Sequence, residues 1–145
     1  MKNIISTFLS MAFIIISVTV NAQQMTKEQQ KNFETGNVEQ FKNAFPADSY
    51  NKCINLKDES FSPLAFSTRH NKTEIFNFLI KNGADVNLVC RGNTALMEAA
   101  KFNTPVLAKQ LLKKGADQNT KDANGLTAKD YAVKYQRTEI LKLLN

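Results

Sequence analysis

The sequence predicts an all-α solenoid, in which short helical hairpins stack side by side and β-hairpin loops join them. Two observations predict this fold. The motif Gly-Ala-Asp-Val-Asn at 83–87 returns 32 residues later as Gly-Ala-Asp-Gln-Asn at 115–119. Gly92 is matched in the same way by Gly125, 33 residues later. Periods of this size are typical of stacked helical repeats, each of which buries its apolar face only against its neighbours.

Each period contains the signals for two helices and a turn. Ser62 is predicted to cap the first helix and Pro63 to occupy its first turn. Backbone N–H groups in the first turn have no partner within the helix, so the N–H group that proline lacks is not missed there. Asn71 marks the turn between the helices, because asparagine tolerates the left-handed conformation. Gly83 is predicted to end the second helix as a left-handed cap. The second helix carries a broad apolar face, made of Ile75, Phe76, Phe78, Leu79 and Ile80.

A weaker copy of the pattern precedes these repeats. Thr26 and Gln29 have the spacing of a capping box, which predicts a helix start. Gly36 is predicted to form the turn between two helices. Asn55 lies 32 residues before Asn87 and is predicted to be its counterpart, with about three extra residues placed in a loop at 46–51.

The motifs resemble the ankyrin repeat. Its consensus runs Thr-Pro-Leu-His-x-Ala-Ala, then a turn, a second helix and Gly-Ala-Asp-Val-Asn, which stands complete at 83–87. The resemblance covers residues 25–145 and implies an ankyrin-repeat solenoid of about four repeats, the first degenerate, at approximately 25–57, 58–89, 90–122 and 123–145. It further implies a protein-binding scaffold, which we expect to be monomeric and non-enzymatic, without a cofactor or a metal.

The first 22 residues are typical of a secretory signal peptide. Lys2 precedes an apolar run from Ile4 to Val20, and Val20 and Ala22 place small residues at the −3 and −1 positions of a cleavage site after Ala22. Export to the periplasm or out of the cell is therefore expected. The alternative is a retained membrane anchor, although the run is shorter than the span of about 20 apolar residues that a bilayer requires.

Two cysteines, Cys53 and Cys90, leave two interpretations open. Export favours a disulfide, since exported proteins meet an oxidising environment. The repeat frame favours two free thiols, because it places Cys53 at the start of one hairpin and Cys90 near the tip of the next. A disulfide requires Cα atoms within about 7 Å of each other.

Equivalent positions of the first helices give three rows of candidate partner-binding residues. The rows are Phe66, Glu98 and Tyr131; Arg69, Lys101 and Lys134; and His70, Phe102 and Tyr135. A basic row beside an aromatic row suits a protein partner with an acidic surface and apolar anchors, since aromatics and arginine are enriched at binding hot spots. In the alternative interpretation, these aromatics pack between repeats and the lysines are ordinary surface. Charge reversal of the basic row is expected to abolish binding without lowering the melting temperature.

Other classes of function have weaker support in the sequence. The formal net charge of +6 is compatible with nucleic-acid or membrane-surface binding, but export and hairpins of mixed charge argue against a nucleic-acid partner. His70 is the single histidine, and no catalytic signature surrounds it or either cysteine. The remaining alternative to a partner-binding module is an accessory subunit that structures or protects an envelope enzyme, or that neutralises a toxin.

Overall fold

The computed structural model describes residues 23–145, so the predicted signal peptide at 1–22 lies outside the described residues. The helices are α1 (Lys27–Glu34), α2 (Val38–Ala44), α3 (Pro63–Arg69), α4 (Thr73–Lys81), α5 (Ala95–Phe102), α6 (Pro105–Lys113), α7 (Ala128–Lys134) and α8 (Thr138–Leu143). A 3-10 helix spans Ala47–Ser49, and the strands are β1 (Gln23–Gln24), β2 (Ile54–Leu56) and β3 (Glu59–Phe61).

The helices form four antiparallel pairs that stack into a solenoid, as predicted. The first helices α3, α5 and α7 pack in series, and the second helices pack α2 against α4 and α6 against α8. A continuous core runs through the stack. Its N-terminal part is aromatic, with Phe33 in edge-on contact with Phe41, Phe45 and Phe66 at ring-centroid distances of 5.2, 5.6 and 4.7 Å. Its C-terminal part is mainly Leu and Ala.

The predicted helix boundaries are confirmed by their capping geometry. The Ser62 hydroxyl accepts a hydrogen bond from the Ala65 amide at 3.0 Å, and Thr26 and Gln29 form the predicted capping box. Asn71 and Gly83 adopt positive φ angles of 51° and 80°. Side-chain caps of this kind are worth about 1 kcal/mol each, so short helices gain much from them.

The loops between repeats are tied together by asparagine side chains. The Asn87 side chain donates to the Gly115 carbonyl at 3.0 Å and accepts from the Asp117 amide at 2.8 Å. Gly92 lies at another close approach, because it has φ +80° and a Cβ atom there would stand 2.9 Å from the backbone nitrogen of Ala123. Such contacts fix the register of one repeat on the next.

The predicted counterpart of Asn87 is wrong. Asn51, rather than Asn55, makes the same pair of bonds one repeat earlier, donating to the Gly83 carbonyl at 3.1 Å and accepting from the Asp85 amide at 2.7 Å. The extra residues therefore lie after Asn51 and not at 46–51. They lengthen the first hairpin into β2 and β3, which pair antiparallel, while β1 adds to β2 in parallel.

The interpretation that favoured free thiols is also wrong. Cys53 and Cys90 form a disulfide, and their Cα atoms lie 5.6 Å apart. The repeat frame failed here because it did not account for the lengthened first hairpin. The first residues of this hairpin, just before β2, lie beside the loop between α4 and α5. There the Cys53 sulfur lies 3.8 Å from the Val89 carbonyl oxygen. The disulfide joins the degenerate first repeat to the loop between α4 and α5, at the boundary of the second and third repeats.

Candidate partner-binding groove

The basic row lies on one side of the molecule and lines a groove. This groove encloses about 540 Å³ and brings together residues of the first helices, the β2–β3 hairpin and the start of α8: Glu59, Arg69, Lys101, Phe102, Tyr131, Lys134, Tyr135 and Arg137. Since α3, α5 and α7 pack in series, side chains at equivalent helix positions meet on this wall. Six of the nine sequence-predicted site residues line it.

The first predicted row is buried and needs correction. Phe66 is 1% exposed and packs against Phe33 and His70, while Glu98 is fully buried. Tyr131 reaches the groove but is only 8% exposed. Phe66 and Glu98 therefore belong to the core and cannot contact a partner directly. The frame assigned them to the surface because it could not show how closely neighbouring helices approach there.

Arg69 lies at the N-terminal end of the groove, and its charge is neutralised by carboxylates of the protein itself. Its guanidinium donates to both carboxylate oxygens of Glu59 at 2.8 and 2.9 Å and stacks between the rings of Phe61 and Phe102, at 4.6 and 4.5 Å. Its Nε also lies 3.2 Å from Glu98 Oε2, an ionic contact without the alignment of a hydrogen bond. Two ion pairs and two aromatic faces fix this side chain.

These contacts shift the pKa values of both Glu59 and Arg69. The hydrogen bond from Arg69 lowers the pKa of the Glu59 carboxyl. Burial opposes the charge on Arg69, but the hydrogen bond to Glu59 and the nearby charge of Glu98 outweigh it and raise the pKa of the guanidinium. Both groups are therefore held in their charged forms.

Lys101 is paired in the same network. Its ammonium lies 3.1 Å from Glu98 Oε1, 3.2 Å from Asn93 Oδ1 and 4.4 Å from the centre of the Tyr131 ring. Glu98 thus bridges Arg69 and Lys101 from inside the protein. Reversing either charge would place a carboxylate against a buried carboxylate, which is strongly destabilising. For these two residues we therefore predict that reversal lowers the melting temperature, in contrast to the expectation from the sequence.

The C-terminal end of the groove is open and unneutralised. Among residues 23–145, no carboxylate lies within 4.0 Å of the Lys134 ammonium. Tyr135 is 41% exposed and Phe102 44% exposed. The Tyr135 ring stacks parallel to Tyr131 at 6.2 Å, with Lys134 and Arg137 at 5.7 and 5.8 Å. His70, at the other end of the third row, is exposed and lies against Phe66.

Three residues that line or support the groove were not predicted from the sequence. Glu59 and Phe61 lie on β3, whose position depends on the length of the first hairpin. Arg137 donates to the Lys101 carbonyl at 3.0 Å. The sequence contained one indication of this contact, because another basic residue, Lys72, stands at the equivalent position before α4. The Lys72 side chain donates to the Glu34 carbonyl. Both side chains reach back to the preceding repeat.

Asp122 supports the aromatic end of the groove from the last loop. The Tyr131 hydroxyl donates to its carboxylate, and this bond, together with burial, raises the pKa of Tyr131 to about 12. The same carboxylate accepts from the Leu126 amide at 2.9 Å. Tyr131 is thereby fixed as a donor, and its ring is held as the platform on which Tyr135 stacks.

Comparison with known proteins identifies the class. Residues 64–145 match the family description of ankyrin repeats in three copies. The chain belongs to the ankyrin-repeat family, which confirms the predicted resemblance. Ankyrin repeats are generally protein–protein interaction modules, and the family is typically non-catalytic.

Two curated relatives share the repeats. The chain is 37% identical over 92 residues to a putative ankyrin repeat-containing protein of Treponema pallidum (strain Nichols), covering 61% of this chain and 31% of that protein. It is 34% identical over 90 residues to a putative ankyrin repeat protein of fowlpox virus (strain NVSL), covering 59% and 26%. The chain thus spans about a third or less of the length of these relatives.

Three further observations concern other kinds of site and membrane spans. Both cysteines are consumed by the disulfide, so neither offers a thiolate to pair with His70. Residues 23–145 hold no group of three or more His, Cys, Asp or Glu side chains that could bind a metal ion. In that part of the chain, no helix is long and apolar enough to cross a bilayer.

Proposed function

We propose that this protein is a non-enzymatic binding module, exported to the periplasm or out of the cell, that holds a protein partner with an acidic surface in its groove. The observation that carries the proposal is the groove itself, where exposed aromatic rings stand beside cationic side chains on one wall. Exposed aromatics next to positive charge are the residues from which binding hot spots are built. The rigid stack presents them without a large entropic cost of ordering.

Two features support the proposed location. The N-terminal 22 residues have the pattern of a signal peptide. The Cys53–Cys90 disulfide is typical of an oxidising compartment, since cytosolic reductants keep most thiols reduced. Localisation is checked by fractionating cells that express the tagged chain and by measuring the mass of the exported form. A full-length chain found in the cytosol, with both thiols free, contradicts export.

The binding proposal is tested by affinity capture from an envelope extract of the source organism. The purified protein should retain one stoichiometric partner that dissociates as salt is raised, because screening weakens contacts between exposed charges. A triple variant that replaces the exposed third row by alanine (His70→Ala, Phe102→Ala, Tyr135→Ala) should lose it. A Val106→Ala, Lys109→Ala variant outside the groove should retain it.

Two outcomes would contradict the proposal. Either no protein is captured in stoichiometric amount, or the triple variant captures the partner as well as the unmodified chain does. Thermal unfolding of each variant shows whether a loss of capture reflects a loss of folding. Turnover of a substrate that disappears with His70→Ala alone would instead establish an enzyme.

A further inference from the structure

Charge is distributed unevenly along the described chain. Residues 23–98 contain nine Lys or Arg and nine Asp or Glu, whereas residues 99–145 contain nine Lys or Arg and four Asp or Glu. The net charge of the first segment is therefore zero, and that of the second is +5. The second segment begins within α5 and contains all of α6, α7 and α8. Attraction for an anionic ligand is concentrated in the C-terminal half of the stack.

Exposed apolar side chains are concentrated in the same half. The large hydrophobic residues that stand exposed within residues 23–145 are Val89, Phe102, Val106, Val133 and Tyr135, and four of the five follow residue 99. Phe102 and Tyr135 line the groove. Positive charge and accessible rings thus coincide at one end of it.

The N-terminal end of the groove already contains its own acidic ligand. Glu59 binds Arg69 with two hydrogen bonds, and Glu98 holds Arg69 and Lys101 from below. A carboxylate of a partner would have to displace Glu59 there and would then face Glu98. At Lys134 it would meet an ammonium group without a carboxylate neighbour among the described residues.

We propose that the C-terminal end of the groove, formed by Phe102, Lys134, Tyr135 and Arg137, is the subsite that binds the partner. Its ligand is an acidic peptide segment that carries an apolar side chain next to a carboxylate. This inference rests on the proposed function, and it names the part of the groove and the partner chemistry involved. The apolar side chain packs on the rings of Phe102 and Tyr135, and the carboxylate pairs with Lys134.

Arg69 and Lys101 act in this arrangement as positioning residues. The Arg69 guanidinium lies 4.5 Å from the centre of the Phe102 ring and supports its orientation. The backbone carbonyl of Lys101 accepts a hydrogen bond from Arg137 at 3.0 Å. The side-chain ammonium of Lys101 packs on the ring of Tyr131, against which Tyr135 stacks. The internal ion-pair network thus holds the binding rings in place, and Lys134 is the cation that meets the ligand.

The subsite is tested with a random-peptide phage-display library selected against the purified protein at low salt. Enriched peptides should contain Asp or Glu adjacent to Leu, Ile, Phe or Trp. Synthetic copies of two enriched peptides should bind more weakly when their acidic residues are changed to Asn or Gln. Their affinity should also fall as salt is raised, because screening weakens exposed charge pairs.

Matched variants locate the binding of these peptides. Lys134→Glu should weaken binding about three- to tenfold, since it replaces an attraction by a repulsion of similar size. Tyr135→Ala should weaken binding about fivefold or more, as expected for an aromatic hot spot. Lys109→Glu makes the same charge change on α6, outside the groove, and Val106→Ala removes an exposed apolar side chain from the same helix. Neither control should change the affinity by more than about twofold.

Three results would overturn the inference. The library does not enrich acidic, apolar peptides; Lys134→Glu and Lys109→Glu weaken binding equally, so that overall charge is responsible; or Val106→Ala weakens binding as much as Tyr135→Ala does. Failure of the subsite is distinguishable from failure of the proposed function. If the third-row triple variant loses the natural partner while Lys134→Glu and Tyr135→Ala retain it, the binding function stands and the subsite does not.

Discussion

At the scale of single residues, the buried carboxylate of Glu98 determines what the groove can do. It stands at a position filled by Phe66 and Tyr131 in the neighbouring repeats, so this repeat has a buried acid where its neighbours have an aromatic ring. Arg69 and Lys101 compensate its charge and are themselves only 16% and 22% exposed in their side chains. Charges withdrawn from water in this way are stable only as a group.

Neutralising Glu98 is therefore predicted to destabilise the fold. Glu98→Gln should lower the free energy of unfolding by about 3 kcal/mol, because it leaves two largely buried cations without their shared counter-charge. The measurement is urea unfolding followed by circular dichroism. Glu59→Gln is the matched control, since it removes an exposed partner of the same arginine and should cost about 1 kcal/mol or less. Equal effects of the two changes would show that burial of Glu98 has no special weight.

The single histidine gives a clean prediction for the dependence of stability on pH. His70 is exposed on one side, but partial desolvation of its ring, which lies against Phe66, lowers its pKa below the ordinary 6.5. The positive charges of Arg69 and Lys72 lower this pKa further. The unfolded chain therefore takes up a proton near pH 6.5, where the folded chain does not, and acid favours unfolding. The stability contribution is complete above about pH 6.5 and is lost as the pH falls through the folded pKa.

The measurement for His70 is a titration of its imidazole signals by NMR, combined with urea unfolding between about pH 7.5 and 5.5. Histidine is the one side chain whose ordinary pKa falls in this interval. We expect an imidazole pKa below 6.5, and a decline in stability that disappears in His70→Asn. A pKa at or above 6.5, or an identical decline in the variant, would refute the assignment.

At the scale of elements, the sequence predicted β-hairpin loops but not the length of the β2–β3 hairpin or where its extra residues lie. Capping residues, helix turns and left-handed glycines follow local chemistry, so the motifs around Thr26, Ser62, Asn71 and Gly83 could be interpreted from short stretches alone. The hairpin depends on where extra residues are accommodated, which a repeat period does not reveal. Glu59, Phe61 and the disulfide all depend on that choice.

For the candidate site, the sequence predicted the location of the basic residues but not their ion pairs. Periodicity placed Arg69, Lys101 and Lys134 on one wall, because it follows helix positions through the stack. It did not reveal which of these cations were already paired, since Glu98 was assigned to the surface and Glu59 was not identified as a groove residue. The distinction between positioning and binding residues required distances between elements that are far apart in sequence.

Removing the disulfide should loosen the first repeat. The bond closes a separation of 37 residues, for which loop-closure entropy gives about 4 kcal/mol of stabilisation. A Cys53→Ser, Cys90→Ser variant should unfold at lower urea concentration. Its loss of hydrogen-exchange protection should be greatest at β2 and β3, which are anchored next to Cys53. An unchanged unfolding midpoint would mean that stacking alone holds the hairpin.

At the scale of the whole molecule, the repeats stabilise one another through positions that neighbouring copies cover. Thr68 and Ala100 occupy equivalent positions of α3 and α5, and both are fully buried. Val133 is their equivalent in α7 and is 59% exposed. Burial at this position is therefore a property of the stack rather than of the helix, as expected of a quasi-one-dimensional fold.

This relation predicts opposite outcomes for one substitution at two equivalent sites. Ala100→Asp should cost about 3 kcal/mol or more, because it buries an unpaired charge between α5 and α7. Val133→Asp should change the free energy of unfolding by about 0.5 kcal/mol or less, as is usual for exposed positions. Urea unfolding of both variants decides the matter. A large loss for Val133→Asp would mean that this face is covered in solution, and a small loss for Ala100→Asp would mean that α5 and α7 do not form a common core.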